Sequence, residues 1–256
     1  MSLCVTIIPC GTTKLVHIMH GKYSLLREFA LNGISIAVNW YLTEDVVLGG
    51  SGFYDGKFIQ YLKDDRYRKY CPEVFDLLHS SVIDKRVRDI RFVENSDVIP
   101  NARYFNEVLP AIKRVPMEEH KRVRKEWHNR GLAFCEGADL VFLDPDNGLR
   151  ECMTKRPKMD MKYVLDEEAV DYYHTGANLV YYCHRGRRSD TKWKEYKKRL
   201  APELSDASMF GLTFHRGTQR SFIFAVHPED AEEYLAIAKG FLDTSWKEHF
   251  SYEEVK

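Results

Sequence analysis

The chain has no Cys-x-x-Cys pair, no apolar run long enough to span a bilayer and no surplus of either charge. Its six cysteines, Cys4, Cys10, Cys71, Cys135, Cys152 and Cys183, are scattered singly through 256 residues. That excludes the ligand spacing of a structural zinc site and fits reduced thiols in a cytoplasmic protein. A membrane helix needs about 18 consecutive apolar residues, and none occurs. The apolar opening, Met1 to Cys10, lacks the basic flank of a secretory signal, so no signal peptide is expected. The 38 basic and 38 acidic residues cancel. A DNA or RNA partner would therefore have to be met by a local basic patch rather than by bulk charge. The G-x-G-x-x-G fingerprint and the Walker A loop are both missing, as are repeats and low-complexity tracts.

What is present is a chain that is 44 % hydrophobic and 13 % aromatic, enough for a substantial core. The stretch that organises it is Gly137-Ala138-Asp139-Leu140-Val141-Phe142-Leu143-Asp144-Pro145-Asp146-Asn147-Gly148. Four apolar residues in a row read as a strand covered on both faces. Pro145 holds Asp144 extended and ends the ladder. Asp144, Pro145, Asp146 and Asn147 are thus delivered at the carboxyl end of a core strand, the edge at which open α/β sheets bind ligands, and are the candidate catalytic residues. Pro145 to Gly148 also suit a type I or II turn. Asp144 precedes that turn and has no part in it.

Around this stretch, elements alternate. Leu25, Leu26, Phe29 and Ala30 have helical spacing, stopped by Asn32-Gly33. Gly21-Lys22-Tyr23 is placed at or just before the start of that helix, where an anionic group would be favoured. Ile34 to Leu42 reads as a core strand running into Asn39-Trp40, and a loop with Gly49, Gly50, Gly52 and Gly56 follows. Strand, glycine-rich loop and helix is the order expected at a nucleotide or cofactor site. Cys71 to Ser81 reads as a helix opened by Pro72. Ile90 to Val93 reads as a short strand ending at Glu94, and Tyr104-Phe105 as another strand end. Met117 to Asn129 reads as a charged helix whose basic run forms a solvated face, closed by Arg130-Gly131.

A basic insert over residues 150–162 comes next, then a helix over Leu165 to Tyr173 with acids at its N-terminus. The strand Leu179 to Cys183 runs into His184-Arg185-Gly186-Arg187-Arg188. His184, Arg185, Arg187 and Arg188 make a candidate phosphate contact. A hairpin is expected over residues 211–226, then a helix from Pro228 to Leu242 and a frayed tail. The sum is one α/β domain over residues 1–256, with residues 105–130 read as a helical insert. Its sheet is expected to be mostly parallel and Rossmann-like, flanked by helices, with a C-terminal antiparallel hairpin.

This arrangement resembles the Rossmann-type S-adenosylmethionine-dependent methyltransferase superfamily, whose sheet also closes with an antiparallel hairpin. Asp144-Pro145-Asp146-Asn147 stands where the adenine- and cytosine-amino methyltransferases carry Asp/Asn-Pro-Pro-aromatic. His20-Gly21-Lys22-Tyr23-Ser24-Leu25-Leu26 is similar to the Lys-bearing N-terminal segment of the large-subunit ribosomal RNA adenine-N6 methyltransferases. Asn39-Trp40-Tyr41-Leu42-Thr43 and Tyr54-Asp55-Gly56-Lys57 also look like segments of bacterial and phage proteins of unassigned function. Two departures stand out: Asp146 and Asn147 replace the second proline and the aromatic, and the glycine loop lacks an Asp-x-Gly-x-Gly order.

The resemblance implies S-adenosylmethionine as cofactor and methyl transfer to an amino group of a nucleic-acid base. It implies that Asp144 and a main-chain carbonyl hold the amino hydrogens. Lys22, Asn39 and Trp40 would line the cofactor site, with Asp55 or Glu94 on the ribose. Arg185, Arg187 and Arg188, with the 150–162 insert, would contact phosphates. Two other classes stay open. Asp144-x-Asp146 after an apolar strand is also the spacing at which nucleotide-sugar transferases and nucleases hold Mg²⁺ or Mn²⁺. A non-catalytic binding protein, in which the motif is only a turn, is the other.

Overall fold

In a computed structural model of the chain, the described residues are 15–43, 59–86, 90–110, 115–154, 157–216 and 219–256. The glycine-rich loop and Asp55, and the basic residues Lys155 and Arg156, lie outside them.

The fold is α/β, built on a seven-stranded mixed sheet of order β2-β1-β3-β6-β8-β7-β9. The strands are β1 (Ile36–Asn39), β2 (Arg103–Phe105), β3 (Leu140–Leu143), β6 (Asn178–His184), β7 (Ser208–Phe214), β8 (Arg220–Val226) and β9 (Phe250–Glu254). β2, β1, β3 and β6 are parallel; β8, β7 and β9 are joined on by antiparallel pairings. The expected hairpin is there, as β7 and β8. The sheet is therefore parallel on one side and antiparallel on the other, rather than parallel with a single antiparallel pair. A second, two-stranded sheet pairs β4 (Gly148–Arg150) with β5 (Tyr163–Leu165) in parallel, with the one-turn helix α5 (Pro157–Asp160) between them in the chain.

Side-chain alternation along the strands divides the core. Ile36, Val38, Phe142, Val180 and Tyr182 face a layer with α1 (Leu15–Leu31) and α8 (Ala231–Asp243), contributing Tyr23, Phe29, Tyr234 and Phe241. Ala37, Val141, Leu143, Leu179 and Tyr181 face α4 (Met117–Cys135), α6 (Asp166–His174) and α7 (Asp190–Lys197), through Trp127, Tyr172 and Trp193. The parallel strands are covered on both faces, as their unbroken apolar runs require.

Several elements differ from the sequence reading. α1 already runs from Leu15, so Gly21-Lys22-Tyr23 sits inside the helix and not at its N-terminus; its stop at Asn32-Gly33 is as expected, with Gly33 at φ 92°. α2 (Pro72–Leu78) opens on Pro72. Residues Arg91–Glu94 form one helical turn, α3, and not a strand. Ile90 and Val93 are both buried, and that i, i+3 spacing is helical, a distinction a four-residue run cannot make by composition. Gly131 does not close α4. A Cβ there would lie 2.5 Å from the Tyr172 hydroxyl, so this glycine lets α4 approach α6, and the chain turns instead at Gly137, with φ 75°. The tail does not fray: Phe250–Glu254 adds β9 to the outer edge of β7.

Candidate active site

The chain passes from β1 outward to β2, returns to β3 on the other side of β1, and then builds outward through β6. The strand order thus reverses between β1 and β3, the place at which open α/β sheets form a ligand crevice at the carboxyl ends of their strands. Ligands of open α/β sheets bind at such a switch point. Asn39, Trp40 and Tyr41 leave one lip, and Asp144 and Pro145 leave the other.

Asp144 is fixed by its backbone, whose N–H donates to the Asn39 carbonyl at 2.9 Å and extends the β1–β3 ladder by one bond. Its carboxylate receives the Lys22 ammonium at 2.6 Å, and both side chains are only 10 % exposed. α1 lies against this face of the sheet and brings Lys22 over the crevice. The Lys22 Nζ also lies 5.0 Å from the Tyr23 ring centre, 5.5 Å from that of Trp40 and 6.0 Å from that of Phe142. Burial pushes the Asp144 carboxyl above its ordinary value, with the Lys22 charge and hydrogen bond opposing the rise.

Trp40 stacks on Tyr104, with 5.6 Å between centroids and 6° between planes. Its indole N–H donates to Glu94 at 3.0 Å, and Asn106 donates to the other Glu94 oxygen at 3.1 Å. Glu94 therefore sits beside the crevice from the end of α3, and not from a strand end. The Tyr23 and Tyr104 hydroxyls are buried here with no hydrogen-bond partner among the described residues. Burial first, then Asp144, raises the Tyr23 phenol, and Glu94 adds to it.

The structure thus brings Lys22, Trp40, Glu94, Asp144 and Pro145 together. Asn39 points the other way: its amide donates to the Tyr172 hydroxyl at 2.9 Å and its carbonyl accepts from the Tyr41 backbone at 3.0 Å, on the α6 face. Asp146 faces Lys162, at 3.3 Å, and the Asn147 N–H donates to the Lys162 carbonyl at 2.9 Å, so the turn is tied to the β4–β5 sheet. Each carboxylate of the Asp144-x-Asp146 pair therefore has a lysine where a metal ion would need to sit. No group of three His, Cys, Asp or Glu that could hold a metal occurs among the described residues.

The basic residues are mostly engaged within the chain. Arg150 binds the buried Asp160, and Lys162 is itself buried. Arg124, from the run read as solvated, is buried and donates to Glu168 at 2.6 Å, to the Asp160 carbonyl at 3.0 Å and to the Tyr163 carbonyl at 2.7 Å. Lys121, Arg122 and Lys125 keep the solvated side of α4. Arg185 donates to Gln219 and Asp190. Arg188 donates to the His184 carbonyl at 2.9 Å and lies 3.9 Å over the Tyr196 ring. Arg187 is exposed and has no partner among the described residues. His184 is driven down to about 4 by burial and then by Arg220 and Arg188, so it is neutral at pH 7.

Sequence reading missed two residues of this edge. Arg220, inside the span read as a hairpin and given no role, opens β8 fully buried and donates to the Tyr182 hydroxyl at 2.9 Å. Tyr182 in turn senses the charges of both Asp144 and Asp146. A lone Arg before an apolar strand carries no signal that it turns inward.

No protein-family model and no curated protein matches the chain. Among solved structures, a Legionella pneumophila protein described with the family model DUF519 is similar at 12 % identity, over 92 % of this chain and 94 % of that one, with a TM-score of 0.43. Likeness at that level establishes neither a shared fold nor a shared function. No helix among the described residues is long and apolar enough to cross a membrane.

Proposed function

We propose that the protein is an S-adenosylmethionine-dependent methyltransferase acting on an amino group of a nucleic-acid base, in a cytoplasmic setting. The observation that carries this reading is the Lys22–Asp144 pair, 2.6 Å apart and buried at the carboxyl ends of β1 and β3. A buried charge pair is costly to desolvate, and hydrophobic residues of similar volume usually serve stability as well or better. Its place at the strand-order switch is where a ligand belongs. The parallel half of the sheet, with β8 inserted antiparallel between β6 and β7, supports the Rossmann-type reading. Free Cys71, Cys135, Cys152 and Cys183 support the cytoplasmic one.

The residues present fit the donor. An ammonium already rests among the rings of this crevice, and two buried hydroxyls beside it have no partner among the described residues. S-adenosylmethionine supplies a methyl group already activated on a positive sulfur, so the protein has chiefly to position and desolvate. Asp144, with a main-chain carbonyl of the turn that follows, holds the amino hydrogens of the acceptor and orients the nitrogen lone pair. Pro145 keeps the Asp144 main chain extended. Glu94, at the far side of Trp40, offers a carboxylate to ribose hydroxyls. Arg187, exposed and without a partner among the described residues, offers a cation for a phosphate.

The reading is tested by thermal shift with S-adenosylmethionine and S-adenosylhomocysteine, and by incorporation of labelled methyl into RNA and DNA. Saturation at a hundred times Kd adds about 2.7 kcal/mol. Absence of a shift with both compounds would remove the proposal.

A further inference from the structure

We propose that the rings of Tyr23, Trp40 and Phe142, with the Asp144 carboxylate, form a recognition subsite for an onium group, and that Lys22 is its resident cation, displaced when a ligand with a positive sulfur or alkylated nitrogen binds. This deepens the methyltransferase reading and rests on it for the identity of the natural ligand.

The argument starts from a mismatch. A lysine ammonium is a compact, strongly hydrated charge with three N–H donors. Here one acceptor, Asp144, meets it among the described residues. Around it stand three aromatic rings, with centres at 5.0, 5.5 and 6.0 Å from Nζ. Rings within about 6 Å attract a cation but satisfy N–H donors poorly. The group that such a box suits best has positive charge and no N–H to satisfy, which is the description of an alkylated sulfonium or ammonium.

Charge then fixes the consequence. The box holds one carboxylate, and two cations within it would repel. Lys22 hangs from the middle of α1 on a four-carbon stem, so its head can leave while the helix stays. A positive ligand therefore exchanges with Lys22. A neutral ligand does not need to, and Lys22 keeps its place on Asp144. Methyl transfer would leave a neutral thioether, the methyl–sulfur electron pair staying with sulfur, the new carbon–nitrogen bond forming on the acceptor and the surplus amino proton passing to water. Lys22 can then return to Asp144, so the same lysine separates donor from product.

The test uses the full chain and its K22A variant. Calorimetric titration with S-adenosylmethionine and S-adenosylhomocysteine gives the ratio of their Kd values for each protein. Removing Lys22 leaves Asp144 unpaired, so preference for the charged ligand is expected to rise by roughly tenfold or more in K22A. An unchanged ratio, including equal loss of both affinities, overturns the proposal, because a lysine that only grips the carboxylate common to both ligands would do that. Tetramethylammonium, which shares only the onium charge, is expected to raise the Tm of K22A and not that of the wild type.

If neither adenosyl compound binds but tetramethylammonium stabilises K22A, the box stands and the methyltransferase reading falls. If both adenosyl compounds bind with an unmoved ratio and tetramethylammonium does nothing, the box falls and that reading stands. Should K22A fail to fold, acylation of Lys22 in the wild type, followed by mass spectrometry, decides. Faster modification with S-adenosylmethionine than with S-adenosylhomocysteine at saturation is expected, and equal rates overturn the proposal.

Discussion

The Lys22 ammonium and the Asp144 carboxylate meet at 2.6 Å from positions 122 residues apart, one inside the first helix and the other just past a central strand. The contact joins the α1 layer to the carboxyl edge of the sheet in a place with little water. Its energetics are set by burial, which raises the Asp144 carboxyl, and by Lys22, which restrains the rise.

Lys22→Met is expected to destabilise the fold in a pH-dependent way. Asp144 has a folded-state value above that of the unfolded chain. Its contribution is fully present below about pH 3.9, the unfolded value, and is lost as pH rises through the folded one. Without Lys22 the folded value rises further. The gap between variant and wild type in urea unfolding should therefore widen from about pH 4 upward, toward the ~3–5 kcal/mol typical of an orphaned buried charge. A gap independent of pH would contradict the burial argument.

Arg124→Met is expected to loosen the β4–β5 sheet. Burial pushes the Glu168 carboxyl up, but Arg124 outweighs it and holds Glu168 below its ordinary value. Removing the guanidinium takes the counter-ion from Glu168, which keeps only the Tyr41 hydroxyl and the Leu165 N–H as donors among the described residues, and a donor from two carbonyls, at a cost of about 3–5 kcal/mol. The contribution of the pair is present above about pH 4.3 and is lost as pH falls through the folded value of Glu168. Hydrogen exchange should quicken first over residues 148–165.

Gly131→Ala is expected to cost about 1–3 kcal/mol, the range for overpacking. The added methyl would lie 2.5 Å from the Tyr172 hydroxyl and 3.2 Å from the Asn39 amide, so it also disturbs the Asn39–Tyr172 hydrogen bond. Equal or greater stability in thermal unfolding would mean that α4 and α6 are not so closely apposed.

Stability is expected to decline as pH falls from 6.5 toward 4. His20 is driven to about 4 by burial, with its Cys71 carbonyl bond opposing and His249 assisting. His184 reaches about 4 through burial, Arg220 and Arg188. In that window the unfolded chain binds protons that these two imidazoles refuse, so stability rises with pH. The variant H20Q/H184Q should show a flatter profile between pH 4 and 6.5. An unaltered slope would assign the acid sensitivity elsewhere.

The parts of this fold that can be read from the sequence are those set by local pattern. Leu140 to Leu143 reads as a covered strand because its flanks decide it, Gly137 before the run and Pro145, which holds Asp144 extended, after it. The β7–β8 hairpin and the stop of α1 at Asn32-Gly33 follow from alternation and turn chemistry. What could not be read depends on contacts between distant residues. Lys22 looks like the start of a helix until its partner across the crevice is known. Asn39 belongs to the right strand but turns to Tyr172, because successive strand residues face opposite layers. Lys162 lies in a basic insert and faces inward because Asp146 is there. Ile90 to Val93 is too short for its period to separate helix from strand. β9 exists because the edge of β7 is open to it, and nothing local in Phe250–Glu254 marks that.

The most direct test of the account compares methyl transfer by wild type and D144N. Labelled S-adenosylmethionine is offered with a nucleic-acid pool, and S-adenosylhomocysteine affinity is measured alongside as a check on the site. The account predicts transfer by the wild type, a fall of roughly a hundredfold or more in D144N, and no change in affinity for the neutral product. Equal transfer by the two proteins, or none by a wild type that binds neither adenosyl compound, would contradict it.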